Sequence, residues 1–181
     1  MPSTFEFCLP TSATSVPVHP VWLHEVKYDG YRLRLERDGK RVRLITRGSH
    51  NWADRYPWIV ETARKNRHRQ FVIDGEAVVL DVDGIADFNA LQSRRYDDKV
   101  WLYAFDILTL DGEDLRGLPL SMRKPNLARL LARRPGLQSE TVRSRWRRSA
   151  AGYGSTSFGG RGHSPRSRPG LARGPLRPCE P

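Results

Sequence analysis

Residues 25–32 read Glu25-Val-Lys27-Tyr-Asp29-Gly30-Tyr-Arg32, which sets a potential nucleophile between two carboxylates and a guanidinium. A lysine attacks phosphorus only as the neutral amine, and its reference pKa of about 10.4 disfavours that form at neutral pH. A buried strand end, nearby cations or a bound metal lowers it. Gly30 permits close approach of backbone to a ligand, and Arg32 offers a fork of donors for phosphate or ribose oxygens. The same run has a plainer reading. Lys-x-Asp-Gly occurs in many charged hairpins, with Glu25 as a strand-edge ion-pair partner, Asp29 holding the loop and Arg32 a solvated strand charge.

The elements that position these residues follow from patterning. Residues 22–27 form a short strand candidate, and residues 31–37 alternate apolar and charged side chains as a half-buried strand does. Asp38-Gly39 signals a hairpin turn, with residues 42–46 as the return strand. Residues 56–65 suit a helix. Residues 71–80 read as one strand with a bend or bulge at Asp74-Gly75. A turn at Asp83-Gly84 and a short helical stretch over 88–92 precede residues 100–108, whose apolar run predicts a central strand. After Asp111-Gly112, Ser121 is a candidate cap for a helix through Leu131. The expected fold class is α+β: mixed, largely antiparallel sheets with flanking helices.

Four segments resemble, in order, the signatures of the covalent nucleotidyltransferases, the superfamily of ATP-dependent DNA ligases, RNA ligases and capping enzymes. They are Glu25-x-Lys27-x-Asp29-Gly30-x-Arg32, Thr46-Arg47-Gly48, residues 71–76 ending Asp74-Gly75-Glu76, and residues 103–108 containing Phe105-Asp106. Asn51-Trp52 through Arg55-Tyr56-Pro57 adds a likeness to bacterial ligases. The run from Trp22 to Arg32 is similar to the ligase domain of bacterial end-joining ligases. The resemblance spans residues 22–137 and implies an ATP-grasp-like nucleotidyltransferase fold.

It also implies roles. Lys27 would attack the α-phosphate of ATP and hold AMP as a phosphoramidate. Glu25 would contact the adenine edge, and Arg32 and Arg47 the phosphate, the ribose or the nicked strand. Glu76 would hold the ribose hydroxyls or support a Mg²⁺ site, and Phe105 would stack on adenine, which needs a flat apolar face. The implied partners are nicked or broken double-stranded DNA and end-joining proteins. Structural alternatives stand beside these roles: Phe105 as core, Glu76 as a turn carboxylate, and Trp52, Tyr56 and Trp58 as helix packing. The five histidines have no metal-ligand spacing.

Composition divides the chain. Residues 1–20 are rich in Pro, Ser and Thr and read as a poorly structured lead-in; residues 21–140 carry the resemblance. The formal charge of +11 splits into +3 over residues 1–142 and +8 over residues 143–181, so the basic excess belongs mostly to the tail. That tail holds 9 Arg, 7 Gly, 6 Ser and 5 Pro among 39 residues, too apolar-poor to offset the entropy of ordering it. It reads as a basic disordered segment or, preferably, as out-of-frame sequence. No Glu-Gly pair follows Gly75, and Lys124 is the last lysine. The family's later metal-supporting and triphosphate-neutralising strands are therefore missing, as is its OB-fold domain. These features predict a truncated ligase with weak or no activity, whose sheet is left open beside residues 100–108. The alternatives are a non-catalytic nucleic-acid-binding remnant, or an RNA ligase or capping-type enzyme. Cys8 and Cys179 are not expected to pair. The chain has no export signal or membrane-spanning run, which predicts a soluble, cytoplasmic, nucleoid-associated protein.

Overall fold

The computed structural model describes residues 5–8, 23 and 25–139. Residues 5–8 and 28–139 fall in one unit, and residues 23 and 25–27 in a second. The tail expected to be disordered or out of frame lies outside the described residues, as do Cys179 and most of the 1–20 lead-in.

The first unit is a six-stranded sheet with three helices. Strands β1 (Tyr31–Asp38), β2 (Arg41–Thr46), β3 (Gln70–Val78), β4 (Trp101–Leu110) and β5 (Glu113–Asp114) run in the order β2-β1-β3-β4-β5, each pair antiparallel. β6 (Leu137–Ser139) adds to β4 in parallel. Helices α1 (Pro57–Arg64), α2 (Phe88–Gln92) and α3 (Leu120–Leu131) complete it. Among the described residues, no helix is long and apolar enough to cross a membrane.

Alternation sorts the two faces of the sheet. Leu33 and Leu35 of β1, Leu44 of β2, Ile73 of β3 and Leu102 and Ile107 of β4 enter one apolar core. Ile59, Val60 and Ala63 of α1 and Leu127, Leu130 and Leu131 of α3 join the same core. The intervening residues of β1, Arg32, Arg34 and Glu36, stand opposite Glu76, Asp74 and Val72 of β3 on the other face. That face is polar, and three of the candidate nucleotide-binding residues, Arg32, Glu76 and Phe105, stand on it.

Several expectations need correction. Residues 25–27 are not in a strand, so the predicted strand over 22–27 does not form where it is described. Ser121 does not cap α3: the helix starts at Leu120 behind Pro119 and has no side-chain cap. Arg123 anchors it instead. Its guanidinium pairs with the buried Asp106 at 2.8 and 2.9 Å and donates to the carbonyls of Arg116 and Leu118. The flank of β4 is also less open than expected, because β5 covers its end and β6 its beginning. A two-residue strand and a three-residue strand carry too little periodicity to be seen in sequence.

Two motif glycines owe their presence to strand packing. The bulge expected at Asp74-Gly75 is there, as a register shift against β4 between those two residues. A Cβ on Gly75 would lie 2.7 Å from the Tyr103 carbonyl oxygen. At Gly30 it would lie 2.2 Å from the Ala77 carbonyl oxygen, so the close approach is to β3, where the sequence suggested a ligand. Gly30→Ala must push β1 away from β3, and overpacking of this kind costs about 1–3 kcal/mol. Gly117→Ala meets nothing within 4 Å and should be nearly neutral. Urea unfolding of the two variants checks the contrast.

Candidate nucleotide-binding face

Arg32 is the hub of the polar face. Its Nε and Nη2 donate to the two carboxylate oxygens of Asp74 at 3.1 and 2.6 Å, a bidentate pair whose side chains are 10% and 7% exposed. Its Nη1 donates to the Cys8 carbonyl at 2.5 Å. Burial works against the charge on Arg32. The hydrogen-bonded Asp74 and the nearby Glu76 carboxylate outweigh it, and the pKa sits above the ordinary arginine value. The guanidinium is thereby held charged, in a fixed plane.

Two aromatic rings lie close to that guanidinium. Phe105 lies 5.2 Å from the guanidinium carbon of Arg32 and Phe7 lies 5.3 Å from it. The stack continues, with Arg34 over Phe7 at 5.2 Å and over Phe5 at 5.6 Å, and Arg116 over Phe5 at 5.2 Å. Arg34 also donates to the Phe5 carbonyl and to Glu36, which pairs with Arg43 of β2 as well. Residues 5–8, expected as structureless lead-in, therefore line this face with alternating rings. Phe105 is 4% exposed, buried beneath a cation and outside the main apolar core. Tyr103, opposite Glu76, meets Tyr28 at 4.5 Å between centroids; burial and that neighbour raise its phenol pKa.

The structure thus gathers Arg32, Glu76 and Phe105 on one face. Arg47 follows Thr46, the partner of Leu33, so it lies at the Arg32 end of the sheet, with its side chain exposed. Lys27 and Glu25 belong to the second unit; there Lys27 is exposed and Glu25 half-buried. Asp74 and Phe7 had no role assigned from the sequence. Their signal was alternation, since charges at positions 32 and 34 face charges at 76 and 74, and rings recur at positions 5 and 7. Trp52, Tyr56 and Trp58 pack structurally: Arg55 lies over Trp52 at 4.5 Å and over Tyr56 at 5.1 Å, and Trp58 donates to the Asp97 carbonyl.

A planar ring, a charged fork of donors and a carboxylate on one face match the donor set a nucleotide needs. The face does not by itself make a metal centre. Magnesium is held by one or two carboxylates together with substrate phosphates, and among the described residues no group of three or more His, Cys, Asp or Glu could hold a metal ion. Glu76 is one carboxylate, and no step is derived through a metal.

A family profile described as "ATP dependent DNA ligase domain" matches residues 13–148. The chain belongs to this family. Among its relatives, the multifunctional non-homologous end joining protein LigD of Mycobacterium bovis is 40% identical over 109 residues, or 60% of this chain and 14% of the relative. The protein of the same name from Pseudomonas aeruginosa is 36% identical over 131 residues, or 70% of this chain and 16% of the relative. The chain thus spans less than a fifth of those relatives' length. A solved mycobacterial DNA ligase D complexed with ATP and MES superposes with a TM-score of 0.56 at 36% identity, over 66% of this chain and 40% of that one.

The ion pair over Phe105 makes a direct prediction. Asp74→Ala strands a buried guanidinium and should lower stability by about 3–5 kcal/mol. Removing Arg32 as well should cost less than the sum of the two single changes, because the double variant buries no unpaired charge. A double-mutant cycle by thermal or urea unfolding measures the coupling, and additive effects would refute it.

Proposed function

We propose that this chain carries the nucleotide-charging step of an ATP-dependent DNA ligase, with Lys27 as the acceptor of AMP. Attack of the Lys27 Nζ on the α-phosphorus forms an N–P bond. The bond from that phosphorus to the β-phosphate oxygen breaks and pyrophosphate leaves. In the complete reaction AMP passes to a 5′-phosphate, and a 3′-hydroxyl then displaces it to seal the nick in duplex DNA.

The observation that carries this reading is the shared face of Arg32, Glu76 and Phe105, three residues from separate motifs that β1, β3 and β4 bring side by side. Adenine stacks on the Phe105 ring. The Arg32 guanidinium already covers that ring and turns toward phosphate or ribose oxygens as the base arrives. Glu76, opposite Arg32 in register, accepts from the ribose hydroxyls. Glu25, two residues before Lys27, reads the adenine edge, and Arg47 serves the phosphates or the nicked strand. Mg²⁺ is the divalent ion expected to accompany ATP, and end-joining proteins the expected partners. The cell compartment is the cytoplasm, beside the nucleoid.

Phosphoryl transfer depends on positioning and on neutralising charge around the phosphates. Among the residues assigned here, Arg32 and Arg47 supply that positive charge.

The test is incubation with α-labelled ATP, and separately α-labelled GTP, followed by isolation of an acid-labile protein adduct. Labelling from ATP that Lys27→Ala abolishes and Phe105→Ala weakens is the expected result. Labelling that survives Lys27→Ala would overturn the assignment of the nucleophile.

A further inference from the structure

At the end of β1 remote from Arg32, the described residues concentrate more positive charge than the nearby carboxylates can balance. Three segments meet where β1 ends and β3 begins. The Gly39 amide, in the β1–β2 turn, donates to the Arg69 carbonyl at 2.8 Å. Arg64, at the end of α1, donates to the Lys40 carbonyl at 3.2 Å, and Arg134 to the Lys65 carbonyl at 3.2 Å. These contacts bring Lys40, Arg41, Arg64, Arg67, Arg69 and Arg134 to one end of the sheet, and all but the half-buried Arg134 are exposed.

The carboxylates in the neighbourhood are fewer than the cations. Glu61 pairs with Lys65 at 2.7 Å, Asp111 meets His68 at 2.6 Å, and Asp38, which accepts from Gln70 at 3.1 Å, stands opposite Arg41 in the β1–β2 register. Beneath the cluster Arg37 is buried, and among the described residues no carboxylate pairs with it. It donates to the carbonyls of Gly39, Ala63 and Asn66 instead. Burial first, and then Arg69 and Arg134, depress its pKa, which reports mutual repulsion among these cations.

A plainer explanation covers part of this. Cations near a helix C-terminus complement its dipole, and that accounts for Arg37 and Arg64 beside the end of α1. It does not account for Lys40, Arg41, Arg67 and Arg69, which belong to the β1–β2 turn and the approach to β3. Uncompensated like charges on a folded surface cost stability and gain something only when a polyanion arrives.

We infer that the convergence of the 39–41 turn, the end of α1 and residues 67–69 is a second DNA contact, which grips the phosphate backbone of the duplex flanking the nick. The inference rests on the DNA-ligase reading above and goes beyond it by locating a flank-binding surface. From Arg32 to Asp38 is six strand residues, or about 20 Å at about 3.3 Å per residue. Along duplex DNA that distance is about six base pairs at about 3.4 Å each. Contacts of this kind fix register and carry no sequence preference.

The experiment uses the full chain and a fluorescently labelled nicked duplex, with affinity measured from about 50 to about 200 mM salt. Replacing Arg64, Arg67 and Arg69 together by Gln should flatten the slope of log affinity against log salt by about 2 to 3, near 0.9 per lost phosphate contact. The triple Arg→Lys variant should keep the slope, which separates lost charge from lost fold. Neutralising Arg94, Arg95 and Lys99, three exposed cations elsewhere, should leave it unchanged. With flanks cut to about four base pairs, wild type and the triple Gln variant should converge. An unchanged slope in the triple Gln variant, an equal loss in the control, a difference that persists on short flanks, or no duplex binding by wild type would each overturn the inference. Labelling of Lys27 by ATP without DNA is read separately. Failed labelling with the slope effect intact defeats the charging function alone, and intact labelling without the slope effect defeats the flank contact alone.

Discussion

The polar face depends on one constraint, the antiparallel register of β1 against β3. Arg32 stands opposite Glu76 and Arg34 opposite Asp74, with Leu33 and Leu35 turned to the core on the other side. A slip of one residue would send the leucines to the polar face and the arginines into the core, so burial of the apolar side enforces the chemistry of the other. The two motif glycines serve the same register. Gly30 lets the chain enter β1 against the Ala77 carbonyl, and Gly75 lets β3 approach β4 through the bulge.

That register makes the face a layered stack. Asp74 fixes the plane of Arg32, and Arg32 lies over both Phe105 and Phe7. A planar cation gains from each ring it covers, while the bidentate carboxylate sets its rotation. The side chain is pre-organised in water-poor surroundings. On the reading proposed above, a base that takes its place over Phe105 exchanges one planar stack for another and frees a charged guanidinium for an anionic partner.

Much of this was legible in sequence. The alternation at 31–37, the Asp38-Gly39 turn, the bulge at Asp74-Gly75 and the helix after Tyr56 all correspond to observed elements, because each has a local physical cause. Residues 5–8 were not legible. Their rings acquire meaning only against Arg32 and Arg34, more than twenty positions away. The buried Arg123–Asp106 pair was hidden for the same reason, since a charge on a mostly polar helix gives no hint that it points inward. β6 joins β4 in parallel from a distant segment and leaves no periodic trace in three residues. For the candidate site, the sequence named motif residues that β1, β3 and β4 bring to one face, and left out the residues that orient them. Orientation comes from tertiary contacts and motif identity from local order.

Charge is managed in opposite ways at the two ends of the sheet, a difference that net charge conceals. Residues 1–142 carry only +3, yet the neutralisation is uneven. On the polar face every arginine of β1 has a carboxylate: Arg32 has Asp74 and Arg34 has Glu36. Such pairing suits a face that must hold its side chains in fixed geometry for a small ligand. Where β1 ends, Arg37 is left to backbone carbonyls and its neighbours repel it. A domain that needed only solubility could distribute its cations among its carboxylates, at less cost to Arg37. Segregation is what a protein needs if it orders a nucleotide at one place and grips a long polyanion at another, because the first task requires fixed dipoles and the second requires unspent charge.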